Sequence, residues 1–159
     1  MLNISEHITY AEAIRSDTAK RAGINNWFTP EQLGRMKLIA EKVYEPLVKH
    51  FKQQVYISSF FRSKEVNKLV GGSKGSQHMA NNGAAMDLDA DNNIGVSNAQ
   101  VFHYIKDNLD YDQLILEDIK EDGSVGWVHV SYKEKGNRRE VLTMIFKNGK
   151  KTYEQYKKK

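Results

Sequence analysis

Two histidines and one aspartate in this chain have the residue types and surroundings of a catalytic metal site. His78 lies in a loop rich in small and polar residues, Asp87 in a short apolar segment, and His129 in a second apolar segment. A catalytic zinc ion commonly takes three protein ligands and leaves a fourth position for water. Imidazole nitrogen and carboxylate oxygen both bind zinc, so these residues are a plausible ligand set, with Zn²⁺ as the cofactor.

The neighbours of His129 and Asp87 indicate that both side chains line a cleft. His129 lies between two valines, and Asp87 lies between a methionine and a leucine. Successive strand side chains point to opposite faces of a sheet, so the apolar neighbours would point to the core. Taken alone this pattern is weak, because a lone histidine in a strand is usually structural. His7, His50 and His103 lie in or near predicted helices and are interpreted as structural.

The N-terminal third carries helix signals. Thr9 is a candidate N-cap for a helix over residues 11–20, which Gly23 would end. The run Thr29-Pro30-Glu31-Gln32 places an N-cap, a first-turn proline and a capping-box glutamine in register. Apolar residues then recur at helical spacing and mark one buried face: Leu33, Met36, Ala40, Val43 and Leu47.

The remainder predicts short strands with two helices between them. A short helix is expected within residues 60–70, and another after the capping box Ser97–Gln100. Alternating or apolar runs predict strands over residues 55–59, 84–89, 113–117, 126–131 and 141–146. The fold class is therefore α+β, with N-terminal helices packed on a small, mostly antiparallel sheet. We predict one domain over residues 1–150 and a solvated basic tail over residues 151–159.

Composition limits the classes of function. The 159 residues carry a formal net charge of +4, and part of the excess comes from four lysines in the last nine residues. The basic residues form no long stripe with interleaved aromatics, so nucleic acid is not expected as a partner. The chain has no cysteine, which excludes disulfides and cysteine-bound zinc. We expect no membrane span and no signal peptide.

Five segments resemble, in the same order, the motifs of the zinc D-alanyl-D-alanine peptidase family, which shares its fold with the Hedgehog signalling domain. They are Ser59–Ser63, Asn67–Gly72, Ser76–His78, Gly83–Asp87 and Trp127–Ser131. The resemblance spans residues 55–146 and implies a Hedgehog/DD-peptidase-like fold. It also implies that His78, Asp87 and His129 bind zinc and that the substrate is the stem peptide of bacterial peptidoglycan.

Two features depart from the family pattern. Four residues, 79–82, separate His78 from the following glycine where the family usually has two. An outward bulge would absorb this insertion, since loops tolerate added length. The second departure is Gly126, which stands three residues before His129 where many members carry the acidic catalytic base.

Glu117 is the preferred substitute for that base. If the strand that ends at Glu117 pairs with the strand of His129, so that Glu117 lies opposite Trp127, Glu117 falls on the His129 face. Glu121 and Asp122 are alternatives in the following loop, and a site with no base is a third possibility.

The resemblance also suggests roles for two residues outside the ligand set. Arg62 would bind a substrate carboxylate or stabilise the oxyanion that develops during catalysis, and a surface salt bridge is its alternative role. Ser76 would contact substrate, or it would simply be a solvated loop residue. The sequence does not select among the D-Ala-D-Ala, L-Ala-D-Glu and crosslink bonds.

Three other interpretations compete with a peptidoglycan peptidase. The run Asp87–Asp91 matches the first ligand positions of an EF-hand loop, but Asn92 stands where that loop needs glycine. A catalytically inactive module of the same fold would bind peptidoglycan or form a structural part of a virion. A metalloenzyme for another small, dipeptide-like substrate is the third.

The helical N-terminus resembles bacteriophage members of the family. The expected setting is therefore a phage endolysin or a virion-associated lysin. Such a protein would act from the cytoplasm of an infected bacterium, with release to the cell wall, or within the virion beside other virion proteins.

Overall fold

The N-terminal region of the computed structural model, which describes residues 2–157, is a small hairpin followed by two short helices. The hairpin pairs β1 (Asn3–Ser5) with β2 (Ile8–Thr9), and it was not predicted. The single helix predicted over residues 11–20 is instead two helices, α1 (Tyr10–Ala13) and α2 (Asp17–Ala22). The chain breaks between them because Ser16 caps α2, its hydroxyl accepting a hydrogen bond from the backbone of Ala19. Thr9 caps α1 and Gly23 ends α2, as predicted.

A long helical segment forms the main layer above the sheet. It consists of α3 (Pro30–Ile39), a π-helical turn (Ala40–Tyr44) and α4 (Glu45–Phe51). The capping box between Thr29 and Gln32 starts it, as predicted. The wide π turn lies just before Pro46, which has no backbone N–H for the regular helical ladder.

The rest of the chain alternates strands with short helices. β3 (Tyr56–Ser59) and β4 (Ala84–Asp89) flank α5 (Lys64–Leu69) and a 3₁₀ turn (Gln77–Met79). A single helix, α6 (Asn98–Asn108), follows. The last four strands are β5 (Gln113–Ile119), β6 (Val125–Tyr132), β7 (Glu140–Lys147) and β8 (Lys150–Gln155).

The large sheet has six strands in the order β3-β4-β6-β5-β7-β8. β5 and β7 run parallel, and the other neighbouring strands are antiparallel. Helices over a mixed, mostly antiparallel sheet confirm the α+β class. No helix among residues 2–157 is long and apolar enough to cross a lipid bilayer.

The C-terminal segment differs from the predicted basic tail. Residues 151–155 lie in β8 and pair with β7, so the tail assignment is corrected for them. Asn148 and Gly149 both have positive φ, of 50° and 73°, which is the geometry of a tight type I′ hairpin turn. Lys158 and Lys159 lie outside the described residues, and the single domain over residues 1–150 stays a prediction.

The sheet has one face packed on the helices and one face open. Met86, Leu88, Val128 and Val130 are fully buried against the helical layer, as the alternation predicts. The helices contribute fully buried residues of their own: Met36, Ile39, Ala40, Val43, Leu47, Val101, Phe102 and Ile105. Each large side chain buried in this way contributes ~1.5–3 kcal/mol relative to exposure. This rigid core leaves the opposite face of β4, β6 and β5 available for chemistry.

Candidate metal centre and active-site cleft

Asp87 and His129 are direct neighbours on the open face of the sheet. They are Cα partners across the antiparallel β4–β6 ladder, which fixes their relative position through the backbone. Oδ1 of Asp87 lies 2.9 Å from Nδ1 of His129. Two of the three predicted ligands are therefore held by strand pairing rather than by a flexible loop.

His78 completes the cluster from the 3₁₀ turn. Its Nδ1 donates to the carbonyl of Phe60 at 2.8 Å, and a carbonyl can only accept, so the proton sits on Nδ1. Nε2 then carries the free lone pair and lies 3.3 Å from Oδ1 of Asp87. The backbone N–H of Arg62 also donates to the carbonyl of His78 at 3.0 Å, which anchors the turn to the end of β3.

The three ligand atoms fit a zinc ion. One atom from each of His78, Asp87 and His129 lies within 4.8 Å of the other two. Zn–N and Zn–O bonds of about 2.0–2.2 Å at tetrahedral angles separate ligand atoms by roughly 3.3 Å, close to the spacings to Asp87 seen here. The carbonyl bond to Nδ1 of His78 is the second contact that metal-binding histidines ordinarily make.

Protonation in the cluster also suits metal binding. Burial lowers the pKa of His78, which favours the neutral imidazole that binds metals. Burial alone would raise the pKa of Asp87, but interactions with His78 and His129 outweigh it and hold that pKa below its ordinary range. The cluster therefore offers an ionised carboxylate and neutral ring nitrogen, the forms that bind zinc.

The four-residue insertion after His78 does not separate the ligands. It packs against α3, where Gln32 donates to the carbonyl of Met79 and Arg35 donates to the carbonyl of Ala80. Ala80 adopts a left-handed conformation with φ of 54°, which turns the chain. The extra length is taken up there, and His78 still reaches Asp87.

Glu117 lies beside the cluster in the predicted register. It is the Cα partner of Trp127 in the β5–β6 ladder, as expected, and its side chain lines the same cleft as His129. The residue is only 7% exposed, yet no side chain or backbone group of residues 2–157 donates a hydrogen bond to its carboxylate. Burial raises the pKa of Glu117, with smaller opposing effects from His129 and other charges. A buried carboxylate without a protein donor, beside a metal cluster, is suited to accept a proton.

The two alternative acids lie elsewhere. Glu121 and Asp122 are exposed in the turn between β5 and β6, outside the cleft lining. Asp122 accepts hydrogen bonds from the backbone and hydroxyl of Ser124, so it serves the turn.

Gly126 has a structural explanation. It lies opposite Asp118 in the β5–β6 ladder, and a Cβ at Gly126 would come within 2.8 Å of the Asp118 Cβ. Asp118 itself has a φ of 56°, which is an irregular backbone conformation for a strand residue. An acidic side chain at residue 126 would therefore require its neighbour across the ladder to shift.

Arg62 and Ser76 both line the cleft. The Arg62 guanidinium is largely buried and lies 3.6 Å from the Oδ2 of Asp87, while its Nε donates to Ser59. Arg62 thus forms an ion pair, as its alternative role proposes, but the pair lies within the cleft rather than at the surface. Ser76 is half-buried at the start of the 3₁₀ turn.

The buried carboxylate of Asp112 lines the cleft and binds several residues around it, outside the cluster of His78, Asp87 and His129. Asp112 is 1% exposed and accepts two side-chain hydrogen bonds from Arg138, at 3.1 and 2.8 Å. Gln77 donates to it at 3.0 Å, and the Lys133 ammonium lies 3.2 Å away. Burial opposes ionisation, but these donors lower the pKa of Asp112 to about 2. Asp112 thereby ties the residue next to His78 to the ends of β6 and β7.

The other histidines have contacts that fit their interpretation as structural residues. His50 stacks on Tyr104 with 3.9 Å between ring centroids, and His103 contacts Phe102 edge-on. His7 Nδ1 lies 2.6 Å from Glu45, and with Glu6 they form a second group of potential metal ligands. Glu45 already accepts the backbone N–H of His7, so this pair fastens the β1–β2 turn to α4.

The acidic run after Asp87 does not form an EF-hand. Asp89 and Asp91 both accept hydrogen bonds from the side-chain amide of Asn98, at 3.4 and 3.1 Å. The Asn98 amide also donates to the carbonyls of Val125 and Gly126. These carboxylates therefore join β4 to α6 and the start of β6.

Several cleft residues were missed in the sequence. They are Gln77, Asp112, Lys133, Arg138, Leu142, Lys151 and Tyr153. The dipeptide Asn148-Gly149 between alternating segments is a strong hairpin signal, and it would have placed Lys151 and Tyr153 in the sheet. The Asp112 network has no comparable local signal, because its donors come from three separate segments.

Comparison with known proteins identifies the family. The model of the family described as Peptidase M15 matches residues 6–131, which includes all three candidate ligands and Glu117. No curated protein matches the chain at a significant level. The chain belongs to the Peptidase M15 family, the zinc D-alanyl-D-alanine carboxypeptidase family.

Proposed function

We propose that this protein is a zinc-dependent peptidase that hydrolyses peptide bonds in the stem peptides of bacterial peptidoglycan. The observation that carries the proposal is the convergence of His78, Asp87 and His129 in a cleft that also holds Glu117. Membership of the M15 family supports the same reaction class. The corresponding fold would be the Hedgehog/DD-peptidase fold.

The ligand set leaves room for catalysis. His78, Asp87 and His129 would supply three ligands to a zinc ion, which is the number that catalytic zinc sites commonly use. When bound, the ion supplies Lewis-acid polarisation of a water molecule and of the scissile carbonyl. The protein holds its three ligands in position before the ion arrives, through the β4–β6 ladder and the bond from His78 to Phe60.

Glu117 is the proposed general base. Its carboxylate takes a proton from the attacking water and passes that proton to the leaving amine. Its raised pKa, which follows from burial, brings it closer to the range in which proton transfer in both directions is efficient. Ile115 and Trp127 line the cleft near Glu117 and would reduce the access of bulk solvent to its carboxylate.

Arg62 and Ser76 are proposed to bind substrate. Arg62 is largely buried in the cleft, and this burial lowers its pKa. The negative charges of Asp87 and Glu117 act in the opposite direction and raise it. The positive charge of Arg62 is therefore balanced by the carboxylates of the site. A guanidinium in this place can orient a substrate carboxylate or stabilise the oxyanion. Ser76, which is half-buried, lines the same cleft.

The biological setting follows from the substrate. We propose a phage endolysin or a virion-associated lysin, acting from the infected cell with release to the wall or within the virion. The formal net charge of +4 would favour approach to an anionic wall polymer.

Metal analysis combined with digestion of purified peptidoglycan tests the proposal. Zinc-loaded protein should release new amino groups and peptide fragments from sacculi. Chelated protein should release none until zinc is restored. Zinc binding without any release would favour the inactive wall-binding or virion module, and release only from free D-Ala-D-Ala would favour a dipeptidase.

A further inference from the structure

The hairpin β7–β8 extends the cleft beyond the part of the chain that matches the family. The match ends at residue 131, whereas Leu142, Lys151 and Tyr153 line the same cleft as the metal cluster. The cleft has a volume of about 860 Å³. The part of the cleft lined by Leu142, Lys151 and Tyr153 is therefore formed by C-terminal strands that lie outside the family match.

Strand register explains why these side chains face the cluster. Ile115 pairs with both His129 and Leu142, so these residues share the open face of the sheet. Met144 lies two residues after Leu142 and pairs with Tyr153, so Tyr153 also belongs to this face. Lys151 lies two residues before Tyr153 and shares its orientation, whereas Lys150 points to the opposite face.

Lys151 and Tyr153 both interact electrostatically with the carboxylate of Glu117. Burial raises the pKa of Tyr153, and the charges of Glu117 and Asp87 raise it further. Lys151 acts in the opposite direction on Glu117, whose pKa its charge lowers against the dominant effect of burial. Within the described part of the chain, neither the Lys151 ammonium nor the Tyr153 hydroxyl has a hydrogen-bond or ion-pair partner. Two donors thus face the cleft without a protein acceptor.

The position of the hairpin sets the length of the substrate. β8 lies three strands from β6, which is roughly 14 Å at about 4.8 Å per strand. An extended peptide covers that distance with about four residues, and a lysine side chain shortens it further. Arg62 lies on the other side of the cluster, at the end of β3, so cationic groups stand at both ends of the cleft.

We propose that Lys151 and Tyr153 form a subsite that binds a substrate carboxylate two or three residues from the scissile bond, on the Glu117 side. The subsite rests on the peptidase function proposed above and gives it a substrate class. The preferred substrate is an extended peptide that carries an internal free carboxylate, and a free dipeptide is too short to reach the hairpin.

The test compares two synthetic stem pentapeptides, one with its internal carboxylates free and one with them amidated. The wild type should cleave the free-acid peptide with the higher kcat/KM. Lys151→Gln should lower kcat/KM for the free-acid peptide about tenfold more than for the amidated peptide, mainly through KM. Any loss through the pKa of Glu117 should appear in kcat and be equal for the two peptides. Tyr153→Phe should give a smaller loss, about threefold, in the same direction.

Lys150→Gln is the matched control, since it removes the same charge from the adjacent residue on the other face. It should leave both peptides unaffected. Equal use of the two peptides by the wild type, or an equal loss on both with Lys151→Gln, would overturn the subsite.

Binding separates failure of the subsite from failure of the peptidase function. If the zinc-loaded protein cleaves neither peptide, calorimetric titration with each peptide still shows whether the subsite binds a carboxylate. Tighter binding of the free-acid peptide that disappears in Lys151→Gln supports the subsite in a non-hydrolytic protein. Equal binding of the two peptides refutes it.

Discussion

Oδ1 of Asp87 lies 2.9 Å from Nδ1 of His129, directly across two hydrogen-bonded strands at the centre of the sheet. A ligand pair built on adjacent strands is positioned more rigidly than one built on loops. The third candidate ligand, His78, comes from a short turn, but hydrogen bonds to the backbone of residues 60–62 hold that turn on both sides. The candidate metal centre is thus built largely on the backbone pairing of the sheet.

Replacing His129 with alanine should abolish zinc binding and activity together. Loss of a ligand's supporting partner already costs roughly 10–100-fold in metal affinity, and loss of a ligand costs more. The measurement is zinc per chain after dialysis, alongside peptide release from sacculi. His50→Ala is the control, because His50 stacks on Tyr104 away from the cleft, and it should retain zinc and activity. A His129→Ala protein that keeps stoichiometric zinc would contradict the ligand assignment.

Glu117→Gln should keep zinc and lose turnover. The amide fills the same space but cannot accept the proton, and general-base catalysis contributes typically about 10²–10⁴-fold. The measurement is kcat on a stem peptide at saturating zinc. Glu121→Gln, in the exposed turn, should behave like the wild type. A near-normal rate for Glu117→Gln would assign the base to another group.

An acid introduced at residue 126 should fail to restore the usual family arrangement. Gly126→Asp places a Cβ within 2.8 Å of the Asp118 Cβ, and such overpacking typically costs about 1–3 kcal/mol. Chemical denaturation should show this loss of stability. Adding Asp118→Gly should recover most of it, because the change removes both the clash and the positive φ of a non-glycine residue. Full stability of the single variant would show that the contact relaxes without cost.

The Asp112 network should make stability dependent on acid pH. The folded pKa of about 2 lies below the ordinary aspartate value of 3.8, so the carboxylate stabilises the fold above that ordinary value. This contribution, on the order of 2 kcal/mol, is lost as the pH falls through the folded pKa. Asp112→Asn should therefore destabilise the protein at pH 7, and its difference from the wild type should shrink at pH 3.

Urea unfolding at the two pH values measures that difference. Asp110→Asn is the control, since Asp110 is exposed and its pairing with Arg139 at the surface should contribute little. An Asp112→Asn effect that is the same at pH 7 and pH 3 would mean that the shape of the side chain matters rather than its charge.

Local signals predicted the parts of this fold that depend on neighbouring residues. The capping boxes of Thr29 and Ser97 start helices as expected, and the alternation around His129 gives the correct core face. The pairing of Glu117 with Trp127, which was the condition for Glu117 to lie on the His129 face, is present in the β5–β6 ladder. These features are set within one strand, one helix start or one hairpin.

Features that depend on distant segments were not predictable in the same way. The contacts of His7 with Glu45 and of Asp112 with Arg138 join residues far apart in sequence, and neither leaves a periodic pattern. The lack of space for a Cβ at Gly126 depends on the β5–β6 register and on the conformation of Asp118, so the sequence alone showed only a missing acid. Strand β8 was not predicted for a different reason. Its lysines are typical of a solvated tail, so residues 151–155 were assigned to a tail rather than to a strand.

The most direct test of the metal centre is a zinc-soaked crystal measured at the zinc absorption edge. The account predicts one strong anomalous peak about 2.0–2.2 Å from Nε2 of His78, Oδ1 of Asp87 and Nδ1 of His129. A peak at His7 and Glu45 instead, or no peak between His78, Asp87 and His129 at saturating zinc, would contradict it.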